Sequence, residues 1–296
     1  MKLSGIFANI TTPFDHNGDI YRTKIEHNLC RWNVPSLAGY VVGSSAGEGV
    51  LLSHNEKIAV WELTAKYAGS ERTLIADVTV EGVREAAELA GHAGRLGYHA
   101  VIAGVPNYYR NLMYGPDSQM LFYRALADRS PVPVLIANSP LTTCADILGE
   151  TVAALSQHPN ILGSVETGTS MVRIRQLLEW SRSGFQVLTG SAVSLLDALK
   201  NGAHGACLGF AAAAPYAAIA VWEAFRTREV EAAADWQERI SQPSVLVTDI
   251  YGVAGLKHAM DLNGYYGGPP RLPLVPVSPD AREEIANAFE GFSGKT

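Results

Sequence analysis

The chain has 296 residues, 47% of them hydrophobic and 18% charged, with a formal net charge of -6 at pH 7. That length supports one large core, and the scattered Lys and Arg exclude the clustered positive charge that nucleic acid or an anionic membrane surface requires. Three widely spaced cysteines, Cys30, Cys144 and Cys207, offer neither a disulfide framework nor a zinc cage and point to a reducing, cytoplasmic setting. The opening MKLSGIFANITTPF reads as a first strand, not a signal peptide. No stretch approaches the ~20 apolar residues of a membrane span.

Along the chain, short runs rich in Val, Ile, Ala and Leu alternate eight times with longer amphipathic stretches. The runs cover residues 5–12, 39–44, 73–79, 100–106, 132–138, 161–167, 186–191 and 206–210. Nearly continuous apolar runs mark strands buried on both faces, as in a parallel sheet covered by helices. After the second run, Ser53 followed three positions later by Glu56 forms a capping box, predicting a helix that continues through Lys66. After the third, Val83, Ala86, Ala87 and Leu89 share one helical face until Gly97 ends it. After the sixth, residues 170–181 repeat Val172, Ile174, Leu177 and Leu178 at helical spacing.

Right-handed βα units repeated eight times predict an α/β protein, a (β/α)8 TIM barrel spanning residues 1–226. Beyond residue 227 the strand signals stop. Residues 227–296, with Ser278 as cap and Pro279 at the first helical position, predict a C-terminal helical extension packed on the barrel.

Barrel enzymes place their reacting groups at the C-terminal ends of the strands. The segments there are Gly43-Ser44-Ser45-Ala46-Gly47-Glu48, Pro106-Asn107-Tyr108-Tyr109-Arg110, Ala137-Asn138-Ser139-Pro140, Gly163-Ser164-Val165-Glu166-Thr167 and Thr189-Gly190-Ser191. Gly47-Glu48 is expected to shape a turn, with no evident charged partner for the Glu. The first segment lacks both the GxxxxGK[ST] and the GxGxxG phosphate patterns, so no nucleotide is expected. The histidines fall on predicted helices, at the opposite end of the barrel, or alone (His16), which excludes a converging metal-ligand set. No cofactor is expected.

The order of these segments, opened by Thr12-Pro13-Phe14 and closed by Leu272-Pro273-Leu274, resembles the dihydrodipicolinate synthase and N-acetylneuraminate lyase family. The VPNYYR loop is similar to the 4-hydroxy-2-oxoglutarate aldolase branch. The resemblance implies a lysine on strand 6 that attacks a 2-oxo acid. It also implies a tyrosine at the end of strand 5 that moves protons with a hydroxyl and a second tyrosine, and an arginine that holds the carboxylate. Ser45 matches the hydroxyl and Tyr108 the second tyrosine, which makes them the candidate catalytic pair; Ala46 replaces the neighbouring Thr or Asn. Asn107 stands where the family often carries an interface tyrosine, and a homodimer or homotetramer is implied.

The remaining positions depart from the family. Its YNxP motif reads Ala137-Asn138-Ser139-Pro140, its arginine aligns with Thr142, and its G-x-K-[DE] reads Gly163-Ser164-Val165-Glu166. Imine formation needs an uncharged primary amine, which valine cannot supply. Strand alternation sends Val165 inward and Ser164 and Glu166 outward. Lys2, Lys24, Lys57, Lys66, Lys200, Lys257 and Lys295 fall at the N-terminus, on outer helices or in the tail, so none ends a strand. The expected lining of the mouth is Ser45, Ala46, Tyr108, Ala137 and Thr142, with Val165, Thr167, Gly190 and Cys207 completing it; Cys207 reads as a small buried core residue.

Three functions follow as expectations. The first is a barrel of this family without imine chemistry that keeps a small-molecule pocket, with a 2-oxo acid as the candidate ligand. The second is a lyase acting on a carbonyl substrate by a non-imine route. The third is a regulatory or scaffolding subunit.

Overall fold

The computed structural model describes residues 1–113 and 115–292. Eight parallel strands, β1 (Gly5–Ile10), β2 (Gly39–Val42), β3 (Thr73–Asp77), β4 (Ala100–Gly104), β5 (Val134–Asn138), β6 (Ile161–Glu166), β7 (Gln186–Thr189) and β8 (Gly205–Leu208), pair in sequence order and close through β1 and β8. Most end one or two residues before the apolar run does, because ladder pairing stops where the chain turns toward its helix. β8 starts one residue early, since Gly205 pairs with Gly5 across the closure, and Phe210 already opens the buried turn of helix Phe210–Ala213.

Helix His54–Tyr67 begins as its sequence dictates. The Glu56 N–H donates to Ser53 Oγ at 3.3 Å, and the Ser53 N–H donates to Glu56 Oε2 at 2.8 Å. Helix Val83–Arg95 buries Ala86, Leu89, Ala90 and Ala93 and ends just before Gly97, whose φ of +80° favours glycine. The C-terminal chain forms helices Val230–Val245, Gly252–Leu262 and Pro279–Ala288, the last capped by Ser278 Oγ.

Two apolar layers follow from strand alternation. Between strands and helices lie residues such as Tyr40, Val42, Ala76, Val101, Ile136 and Leu208. Inside the barrel lie Phe7, Val41, Ile75, Ile102, Leu135, Val165, Leu188 and Cys207. The interior is therefore a packed core, and the polar groups have to gather above it at the C-terminal ends of the strands.

Candidate functional site at the barrel mouth

The side chain of Val165 is 5% exposed and belongs to the interior cluster, whereas Ser164 and Glu166 point outward. Glu166 Oε2 accepts from Arg173 Nε at 2.6 Å and from Asn138 Nδ2 at 2.9 Å, and Asn138 Oδ1 accepts the Ile147 N–H at 3.2 Å. This network ties the ends of β5 and β6 to the helices outside them and faces away from the interior.

Cys207 is buried in the same interior layer, and burial pushes its thiol up to about 12. A thiol so placed stays protonated and is not a nucleophile. Ala137 also packs on this cluster. Thr167 is half-buried, its Oγ1 donating to Asn138 O at 3.2 Å, and a Cβ on Gly190 would stand 2.8 Å from Thr167 Cγ2. Ala46 is buried, near the space above Gly209.

Three other expected lining residues are exposed in the single chain. Tyr108 is 78% exposed, its ring edge-on to Tyr109 and its N–H donating to Glu81 Oε2 at 3.0 Å. Ser45 is exposed as well, and the hydroxyl turned toward a strand is that of Ser44, which donates to Asn9 Oδ1. No hydrogen bond joins Ser45 to Tyr108 among the described residues. Thr142 is exposed in the short helix Pro140–Thr143, whose tight turn instead buries Thr143 and brings its Cγ2 near Gly104. A cavity of about 230 Å³, lined by Arg31, Ala214, Tyr216, Asn263 and Tyr265 among others, includes none of the nine residues expected at the mouth.

One expectation is corrected. Glu48 does have a charged partner: its Oε1 lies 2.5 Å from Lys257 Nζ, with both side chains almost wholly enclosed. Lys257 lies on helix Gly252–Leu262 of the C-terminal chain, and its side chain is buried. It donates to Pro269 O at 3.0 Å, sits over the Phe14 ring at 4.5 Å and has its pKa lowered, chiefly by burial. Glu48 stands at φ 54°, a conformation that strains a side chain with a Cβ. The ion pair and the bond from the Arg271 N–H to Glu48 Oε2, at 2.7 Å, hold it there.

Lys57 is the second buried lysine. Its Nζ donates to Thr79 O at 3.1 Å, and burial lowers its pKa. Of the others, Lys2, Lys66 and Lys200 are exposed, Lys24 lies against the Tyr266 ring, and Lys295 lies outside the described residues.

The sequence reading missed Asp77. It ends β3 two residues after the interior Ile75, so its side chain turns to the interior side of the sheet, yet it is only 7% exposed. Oδ1 accepts the Thr79 N–H at 2.8 Å. Burial raises its pKa, opposed by the hydrogen bonds from Thr79 and by the charge of Lys57. The signal was available, since Asp77 is the one acidic residue in the run TLIADVT.

A closed parallel eight-stranded barrel with its polar side chains collected at the carboxyl ends of the strands defines a TIM-barrel protein. The chain belongs to the dihydrodipicolinate synthetase family, whose profile matches residues 2–291. It is 26% identical over 300 residues to a 4-hydroxy-tetrahydrodipicolinate synthase of an Exiguobacterium species, covering 98% of both chains. It is 28% identical over 294 residues to a probable mitochondrial 4-hydroxy-2-oxoglutarate aldolase of Emericella nidulans, covering 98% of this chain and 94% of the relative. A dihydrodipicolinate synthase from Bacillus anthracis superposes with a TM-score of 0.93 at 23% identity, over 98% of this chain and 99% of the other. At that identity the superposition establishes the fold. Among the described residues, no helix is long and apolar enough to cross a membrane, and no group of three or more His, Cys, Asp and Glu is arranged to hold a metal ion.

Proposed function

We propose that this protein is a member of the lyase family that does not perform Schiff-base chemistry and binds a small molecule at the mouth of its barrel. The observation that carries this reading is Val165, a hydrocarbon packed in the interior cluster at the strand position where the resemblance calls for an attacking amine. The buried lysines offer no substitute, since Lys57 is bonded to Thr79 O and Lys257 is paired with Glu48. Ala137 and the exposed Thr142 likewise supply neither a proton-moving phenol nor a cation for a carboxylate.

The test is reduction with borohydride in the presence of pyruvate, followed by the mass of the intact protein. An unchanged mass is expected, and a covalent reduced adduct overturns the reading.

A second reading, turnover of a carbonyl substrate without an imine, is favoured by one observation, the acid at position 77 on the interior side of the barrel. The cysteine usage supports a reducing cytoplasm, and the family resemblance supports a homodimer or homotetramer. Light scattering on the purified chain tests the assembly, and a monomer at micromolar concentration contradicts it.

A further inference from the structure

Away from the barrel mouth, the cavity of about 230 Å³ lies where the end of helix Arg22–Trp32 meets the start of helix Pro215–Arg226 and the turn after helix Gly252–Leu262. Its rim is exposed and carries Cys30, Arg31 and Tyr216, while Ala213, Asn263 and Tyr265 form a buried floor. Among the described residues, Arg31 is the one charged side chain of the lining, which includes no carboxylate.

Arg31 is positioned without an anionic partner. A Cβ on Gly264 would stand 2.8 Å from its Nη2, so the guanidinium lies against the turn that carries Asn263 and Tyr265. Its Cζ is 5.6 Å from the centroid of the Tyr265 ring, and it forms no ion pair among the described residues. Contact with backbone and an aromatic ring holds the planar fork in place and leaves its donors available.

Two neighbours bring further polar atoms that lack partners. Burial pushes the Tyr265 phenol up to about 12, opposed by the charge of Arg31, so at neutral pH the hydroxyl keeps its proton. The Tyr265 ring is taken up by Trp32, stacked at 5.6 Å, and by Arg31, whereas its hydroxyl makes no hydrogen bond among the described residues. Asn263 is fixed by its Nδ2, which donates to Ala213 O at 2.9 Å, and this leaves Oδ1 enclosed with no partner. A buried acceptor left unpaired is destabilising, and a donor that reaches it recovers the loss.

We propose that this cavity is a second ligand site, separate from the barrel mouth, that takes a small aromatic carboxylate bearing a hydroxyl group. The carboxylate docks on the Arg31 guanidinium, whose parallel donors match its two oxygens, and accepts from the Tyr265 hydroxyl. The ligand hydroxyl donates to Asn263 Oδ1. Pro215, Ala217 and Phe292 supply apolar wall for the ring. A wall with one cation and no carboxylate attracts an anion and disfavours a cation. At about 230 Å³ the space is smaller than the ~300–1,000 Å³ of sites for drug-sized molecules, which limits the occupant to a single ring with small substituents. The site stands whether or not an imine forms at the mouth.

The probe is 3-hydroxybenzoate, with 3-hydroxybenzamide as its uncharged counterpart and benzoate as the acid without the hydroxyl. Ligand-observed NMR titrations of the full chain at neutral pH are expected to show the amide binding at least about tenfold more weakly than 3-hydroxybenzoate, and benzoate at least about threefold more weakly. Arg31→Gln, at an exposed position, should weaken 3-hydroxybenzoate binding by roughly tenfold. A measurement that needs no variant places the ligand. Cys30 lines the cavity and Cys144 does not, and both are exposed. Saturating 3-hydroxybenzoate should slow alkylation of Cys30 by iodoacetamide several-fold and leave that of Cys144 unchanged, read by peptide mass.

Failure of 3-hydroxybenzoate to bind, equal affinity for the amide or for benzoate, unchanged affinity in Arg31→Gln, or undiminished alkylation of Cys30 each overturns the proposal.

Discussion

Glu48 and Lys257 form an ion pair with Oε1 and Nζ 2.5 Å apart, deep enough that water reaches almost none of either side chain. It fastens helix Gly252–Leu262 to the loop after β2, and Arg271 reinforces the junction through its N–H to Glu48 Oε2. Cutting one partner leaves a buried charge without compensation. We expect Glu48→Leu to lose about 3–5 kcal/mol in urea denaturation, and the double variant Glu48→Leu/Lys257→Met to recover much of that loss. Equal destabilisation in the single and double variants would contradict this account.

Glu56 couples two structures, closing the capping box with Ser53 and receiving Arg271 bidentately, at 2.6 Å on Oε1 and 3.0 Å on Oε2. The hydrogen bond from Arg271 is the main reason its pKa falls from 4.5 to about 2. A folded-state value below the unfolded one stabilises the fold fully above pH 4.5 and is lost as pH falls to about 2. Because Glu56 is partly solvated, we expect a contribution of about 1 kcal/mol after screening. The difference in denaturation midpoint between the wild type and Glu56→Gln should shrink across that window. A difference that stays constant through it would show that the carboxylate charge is not responsible.

Introducing the missing amine should not create an aldolase. In Val165→Lys the new side chain would enter the hydrocarbon interior cluster, where an amine alone does not make an imine without a positioned carbonyl and a proton shuttle. Ala137 and Thr142 still supply no phenol and no carboxylate clamp. We expect no turnover of pyruvate with an aldehyde by NMR, and a stability loss of about 2–4 kcal/mol from burying the cation. Aldolase turnover by this variant would refute the argument.

Thiol reactivity separates the cysteines. Cys30 and Cys144 are exposed, while Cys207 is buried with its thiol pushed up to about 12. A disulfide exchange reagent at mildly alkaline pH should modify the first two quickly and Cys207 only on unfolding. Rapid modification of all three in the folded protein would mean that the interior tier opens to solvent.

Much of the architecture was legible because it is written in local periodicity. A strand buried on both faces reads as an apolar run, a helix as a repeat near three and four, and the Ser53–Glu56 box as two residues three apart. Those signals placed the eight strands, and alternation alone turned Val165 inward and Glu166 outward. The same rule applied to Ile75 would have found Asp77, whose position in an apolar run was the clue.

Which groups meet was settled by closure of the barrel and the return of the C-terminal helices over it. Glu48 gives no local sign of Lys257, and Glu56 none of Arg271, because residues far apart in the chain become neighbours only when the apolar layers between them pack. The turn Pro140–Thr143 likewise decided that Thr143 is enclosed and Thr142 wet, a difference of one residue that no hydrophobic period encodes. The sequence by itself determined the barrel and the absence of an amine at position 165. Only the tertiary structure decided how buried Asp77 is, since its desolvation depends on strands and helices contributed by the whole chain.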